Sequence, residues 1–344
     1  MENPKVSVLI PMYNKKQYIE QCVESALNQN FQDEYEVIVR DNCSTDGSYE
    51  LVQEKYTEQI ENGKLRLYRN DENLGLGGNT LKLIDDAKGK YFILLHNDDM
   101  ILSHAVSHLY EVAEKTNADV VHESFFFNSP PDGIIKDFAD CKAITREHHT
   151  SENVVIISDD PNSRFNEWFL GETFWDAQYN FYNKNFVIEN EIFNDVHDYY
   201  YTTLCLLMLS KVFVKTPICC YIRRDNPYSG TRTTYSPELL EWYMTDSIIA
   251  CKDFDKIFEK VELFKNNEYY QYMVKSHYIA LVDFYQIRNR FIYQNGLTAE
   301  LYEIASKVFK KHFGDDYFYP MMLYNWAHVM TFDQPVDNIS LPES

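Results

Sequence analysis

The chain has 344 residues, 45% hydrophobic and 15% aromatic, enough apolar material to bury one large core or a large and a smaller one. Its 32 Lys and Arg stand against 53 Asp and Glu, a net charge of −21. That balance excludes a protein that grips a nucleic-acid backbone, which runs on Lys/Arg and counterion release, and disfavours a basic membrane-surface anchor.

The first part of the chain alternates between two periodicities. Val6–Ile10 is a short β-branched run ended by Pro11, and Lys15–Gln29 carries Tyr18, Ile19, Cys22, Val23, Ala26 and Leu27 at helical spacing. Tyr35–Val39 reads as a second strand. Ser44 to Ser48 is rich in N-capping residues and opens a helical stretch over Tyr49–Ile60. Lys64–Tyr68 is a strand, Gly77–Ala87 a helix, Tyr91–Leu95 a buried strand, Ser103–Thr116 a helix and Ala118–His122 a strand. Strands alternating with helices predict a mostly parallel sheet covered on both faces, with ligands at the carboxyl ends of the strands. Those ends are Pro11–Asn14, Arg40–Asp46 and His96–Asp99.

From Glu123 to about Asn166 the periodicity weakens and predicts a loop-rich insertion, with turns at Pro130–Gly133 and Ser158–Ser163. Order returns over Phe165–Thr234, and from Tyr235 onward the pattern is helical and rich in Tyr and Phe. Two domains are expected, 1–234 and 235–344. Aromatics at helical spacing favour core packing over sugar stacking in the second. The seven cysteines include no C-x-x-C pair, so reduced thiols in a cytoplasmic protein are expected. The N-terminus lacks a basic region leading into an apolar one, and Leu204–Ile222 is broken by Lys211 and Lys215. Neither a signal peptide nor a membrane span is expected.

Three groups of residues can carry chemistry. Asp98 and Asp99 are adjacent carboxylates at a strand end, suited to a hard divalent cation and substrate phosphates, or to capping the segment that follows. Asp41 and Asp46 flank the second strand end, where carboxylates serve a nucleoside pocket or simple turn chemistry. Asn73 to Asn79 is glycine-rich and leads into a helix whose N–H groups could face a phosphate. Thr80 stands where a Rossmann fingerprint needs its third glycine.

Taken together, VSVLIPMYN (6–14), VIVRDNCSTDGS (37–48), ENLGLGGN (72–79) and AKGKYFILLHNDD (87–99) resemble the family 2 glycosyltransferases, in order and at the expected distances. The resemblance implies a GT-A fold, one Rossmann-like α/β domain binding a nucleotide sugar, here followed by a helical C-terminal region. It places Pro11 and Tyr13 beside the base and ribose, Asp41 on the base and Asn79 in the same nucleotide-sugar set. Asp98 and Asp99 hold the ribose and the metal-bound diphosphate, with Mn²⁺ or Mg²⁺ as the cation. Four positions depart from the family pattern: Asp-Asp-Gly-Ser stands as Asp41-Asn42-Cys43-Ser44, the first acid of Asp-x-Asp is His96, and Gly78 replaces a common Arg.

Further along, Phe174-Trp175 through Phe186 resembles the stretch ahead of the family's catalytic loop, and His197-Asp198 falls on its Glu-Asp pair. That makes Asp198 the general base by resemblance, with Asp195 competing for the role and helix capping as the other use of either acid. The implied function is inverting transfer of a sugar, from a UDP-sugar above other donors, to a hydroxyl of a glycan, lipid-linked saccharide or glycoprotein. A catalytically silent GT-A subunit is the alternative. No nucleic-acid partner is expected, and peripheral association at the inner face of the membrane and a homodimer both remain compatible with the chain.

Overall fold

The computed structural model describes residues 4–130, 135, 140–144, 151–173, 176–194, 199–226, 236–250, 253–279, 291 and 299–314. The chain divides into two compact units, residues 1–227 and 228–344.

The first unit opens with β1 (Val6–Met12), α1 (Lys16–Leu27), β2 (Tyr35–Asp41), α2 (Ser48–Lys55), α3 (Thr57–Glu61), β3 (Leu65–Arg69), α4 (Gly75–Asp86) and β4 (Tyr91–Leu94). β1 and β4 are buried throughout and β2 almost so, which is why they read as continuous apolar runs rather than alternating ones. α1 turns Ile19, Cys22, Val23 and Ala26 onto them at the spacing the sequence predicts. The single helix expected over 49–60 divides at Tyr56. Its ring is buried, its hydroxyl donates to the Glu20 carbonyl at 3.0 Å, and its φ of −110° leaves the helical range.

β5 (Met100–Ile101), α5 (Ala105–Thr116), β6 (Val120–Glu123), β7 (Phe126–Asn128), β8 (Lys142–Ile144) and β9 (Val155–Ile156) follow. α6 (Pro161–Phe169), β10 (Asn180–Asn183), α7 (Lys184–Asn190), α8 (Tyr199–Leu209), β11 (Phe213–Thr216) and β12 (Tyr221–Arg223) complete the unit. The loop-rich expectation for 123–166 is thereby corrected: three short strands and the first turns of a helix lie there. α6 starts where a turn was expected, with Pro161 at its first position and the Asp160 carboxylate accepting the Ser163 N–H at 2.8 Å.

Among the described residues, eight strands form the main sheet in the order β3-β2-β1-β4-β10-β6-β11-β9. β3, β2, β1 and β4 run parallel, β10 is antiparallel to both its neighbours, β6 and β11 are parallel, and β9 closes antiparallel. A second sheet, β5-β12-β7-β8, carries the segment after β4 across to β12. The chain steps outward from β1 to β2 and β3, then returns to place β4 on the other side of β1. That reversal opens a crevice at the carboxyl ends of β1 and β4, the position at which doubly wound sheets bind ligands.

The second unit contains α9 (Pro237–Ala250), α10 (Phe254–Lys260), α11 (Glu268–Ile279) and α12 (Ala299–Phe313). Leu240, Met244, Phe254, Val274, Leu301, Val308 and Phe309 are buried, and the Phe254 and Tyr278 rings lie 5.0 Å apart. Much of this aromatic content is core, as the spacing predicts. Among the described residues, no helix is long and apolar enough to cross a membrane.

Candidate active site

The crevice holds a cavity of about 310 Å³. β1 and the residue after it deliver Pro11, Met12 and Tyr13, the turn after β2 delivers Asn42, the loop before α4 delivers Asn73, and the start of α4 delivers Gly75, Leu76 and Asn79. His96, Asn97 and Asp98 follow β4. Of the residues singled out from the sequence, Pro11, Tyr13, Asn79 and Asp98 meet in this one cavity. Tyr13 is 43% exposed, which gives the cavity an aromatic rim. The first turn of α4 carries no acid, so nothing of its own opposes the positive end of its dipole.

Asp98 is the carboxylate of the cavity. Its side chain is 17% exposed, and one oxygen accepts from Asn226 Nδ2 at 2.8 Å and faces Lys15 Nζ at 3.5 Å. Its main-chain carbonyl accepts from Arg224 Nε at 2.7 Å. Arg224 also donates to Gln21 Oε1 at 2.6 Å and lies over the Tyr18 ring, so the acid is braced from α1 on one side and from the end of β12 on the other.

Asp99 turns the other way. It is 4% exposed, accepting the Tyr221 hydroxyl at 2.7 Å on one oxygen and the Arg224 N–H at 2.7 Å on the other. Burial first, then the neighbouring Asp98 charge, pushes its carboxyl up to about 8. The adjacent pair therefore splits into one acid that faces the cavity and one that pins β12 beneath it. His96 adds no charge, because burial holds its imidazole below the usual value and neutral at pH 7.

Asp41 is fully buried and outside the cavity lining. Its oxygens take the Ser44 N–H at 3.1 and 3.3 Å and face Arg69 Nε at 3.3 Å. Asp46 is a tether: its carboxylate accepts the Lys16 N–H at 2.9 Å and the Ser48 N–H at 3.0 Å, which ties the starts of α1 and α2 together. Asn79 is 1% exposed and donates to the Arg40 carbonyl at 3.0 Å while accepting from Asn70 at 2.9 Å. Asp195, His197 and Asp198 lie outside the described residues, as do Phe174 and Trp175.

Among the described residues, no three His, Cys, Asp or Glu side chains converge as a ready-made metal cage. A hard divalent ion does not need one, since it keeps waters and completes its shell with substrate phosphates. A single cavity-facing carboxylate fits that habit, and Asp98 supplies it. Asp99 could join only by giving up the Tyr221 and Arg224 bonds. Sequence reasoning missed Lys15, Gln21 and Asn226 as partners of this group.

Residues 7–140 match the model of the family described as Glycosyl transferase family 2. The glycosyltransferase GlyG of Streptococcus pneumoniae is 26% identical over 193 residues, 56% of this chain and 59% of that protein. The chain thus spans less than two thirds of that relative. Among solved structures, S. aureus TarS 1–349 in complex with UDP-GlcNAc aligns with a TM-score of 0.58 at 16% identity, covering 89% of this chain and 81% of that one. The mannosyltransferase PcManGT of Pyrobaculum calidifontis, in complex with GDP-Man and Mn²⁺, aligns at 0.51 and 14% identity over 95% of this chain and 86% of that one. At these identities the likeness is one of fold, and the fold is the GT-A type.

Proposed function

We propose, from the premise that residues 7–140 belong to glycosyl transferase family 2, that the β1/β4 crevice binds a nucleotide sugar and that the chain transfers the sugar to an acceptor hydroxyl. The observation that carries this reading is the convergence of Pro11, Tyr13, Asn79 and Asp98 on one cavity at the sheet's reversal point. An aromatic rim suits a nucleoside, the acid-free start of α4 suits a diphosphate, and Asp98 suits the cation that accompanies it.

The donor is a UDP-sugar in this reading, in keeping with UDP-GlcNAc in the similarly folded TarS. Asp98 would hold Mn²⁺ or Mg²⁺, which when bound offsets the charge that develops on the leaving diphosphate. Lys15 and Asn226 keep the Asp98 carboxylate aimed, and Tyr221 and Arg224 hold the Asp98–Asp99 turn in place. Asp198 is the proposed general base. It would take the proton of the attacking hydroxyl while that oxygen bonds to the anomeric carbon and the nucleoside diphosphate departs from the opposite face, inverting the centre. Glycans, lipid-linked saccharides and glycoproteins all present such a hydroxyl.

Calorimetric titration with UDP, GDP and dTDP, each with Mn²⁺ and with EDTA, tests the donor half. The expected result is metal-enhanced binding of UDP. Binding of none of the three would overturn the donor reading and leave a GT-A subunit without donor chemistry.

A further inference from the structure

Asn42 stands where the family pattern has an acid, and its surroundings say why. Nδ2 donates to Asn73 Oδ1 at 2.7 Å and to the Gly75 carbonyl at 3.1 Å. Oδ1 accepts the Leu74 N–H at 2.9 Å and Asn70 Nδ2 at 3.0 Å. A primary amide has two donors and two acceptor positions, and all four are used. The orientation is fixed by the main chain, because the Leu74 N–H can only donate and the Gly75 carbonyl can only accept. Asn42 is 3% exposed and keeps no hydrogen-bonding capacity for a ligand, although it borders the cavity.

What it does hold is the wall. Asn73, Gly75 and Leu76 line the cavity, and the Asn42 side chain ties the segment from Asn73 into α4 back to the turn after β2. Asn70 extends the tie, donating to Asn42 and to Asn79, and Asn79 donates on to the Arg40 carbonyl. A carboxylate at position 42 could keep the two bonds it accepts. It would set its other oxygen against Asn73 Oδ1 and the Gly75 carbonyl, oxygen facing oxygen where the amide now donates.

We propose that Asn42 is a positioning residue for the nucleoside-diphosphate site, acting through the 73–75 wall, and that an amide is required there because the side chain must donate and accept at once. This rests on the donor reading above.

The test compares two substitutions that make the same change of charge in the turn after β2. Asn42→Asp loses both donors. Thr45→Asp adds its charge at an exposed position outside the cavity lining and leaves the Asn42 bonds in place. Affinity for UDP is measured by calorimetry, and hydrogen exchange is followed at the Leu74 and Gly75 amides. Asn42→Asp is expected to weaken UDP by about tenfold or more and to speed exchange at both amides, whereas Thr45→Asp stays within roughly threefold of wild type.

Asn73→Ala removes the acceptor at an exposed position, where folding is not at stake, and is expected to fall between the two. It carries the test if Asn42→Asp does not fold. Equal weakening by Asn42→Asp and Thr45→Asp would assign the effect to charge and overturn the proposal, as would Asn73→Ala binding and exchanging like wild type. A wild-type protein that binds none of the nucleotides overturns the donor reading together with this assignment. Binding by the wild type with no difference among the variants overturns the assignment alone.

Discussion

Replacing Asp98 by Asn is expected to abolish the Mn²⁺ enhancement of UDP binding, a loss of about 100-fold or more. Removal of a residue that only supports a metal ligand already costs about 10–100-fold, and Asp98 is the proposed ligand itself. The size follows from the geometry of the pair. Asp99 is not placed to stand in, since it lies outside the cavity lining, buried and bonded to Tyr221 and Arg224. His96 is a poor replacement, because a hard cation prefers carboxylate oxygen to imidazole nitrogen. The fold should survive the change. Asp98 is partly exposed, Arg224 braces its main-chain carbonyl rather than its side chain, and Lys15, 20% exposed, can turn to water. Calorimetry checks the affinity with Mn²⁺ and with EDTA, and thermal unfolding checks that the melting temperature is kept. A variant that retains the metal-dependent gain would remove Asp98 from the cation site.

Gly89→Ala is expected to destabilise the first unit by about 3 kcal/mol or more, the upper end for overpacking. A Cβ placed on Gly89 would lie 2.7 Å from the Ser7 nitrogen, 2.7 Å from the Val6 carbonyl carbon and 2.7 Å from the Tyr91 oxygen. All three are backbone atoms of paired strands, so relief requires β1 and β4 to move apart, not one side chain to rotate. The Gly89 N–H also donates to Ser7 Oγ at 2.9 Å, and that hydroxyl donates to the buried Glu36 carboxylate at 2.7 Å, so the displacement would disturb a charged group as well. For a unit of this size the melting temperature should fall by roughly 6–12 °C. Gly78→Ala serves as a contrast, since its Cβ would meet only the Leu74 Cβ, at 3.0 Å. Equal effects at the two positions would mean that the β1–β4 packing is not what Gly89 protects.

The sheet was legible because β1 and β4 are short apolar runs, β3 alternates, and α1, α4 and α5 repeat their buried residues at helical spacing. Strand ends therefore mark the crevice in the sequence, and Pro11, Tyr13, Asn79 and Asp98 share its cavity. β10 was not legible. Asn-Phe-Tyr-Asn neither alternates nor forms an apolar run, yet it inserts antiparallel between β4 and β6. Nor does the sequence reveal the bracing of Asp98, whose partners Arg224 and Asn226 lie more than 120 residues away. Adjacent acids look alike in a sequence, and only the direction of the turn separates Asp98 from Asp99. Asn42 was visible as a departure from a pattern, but its four bonds depend on where the 73–75 segment folds back.

Release of free UDP from a UDP-sugar with Mn²⁺ present, compared between wild type and Asp98→Asn, tests the central claim most directly. The expected result is turnover by the wild type that exceeds the variant's by about 100-fold, in line with its loss of metal-bound donor. Equal release by the two proteins would contradict the reading, because the sugar would then be leaving from a site that Asp98 does not serve.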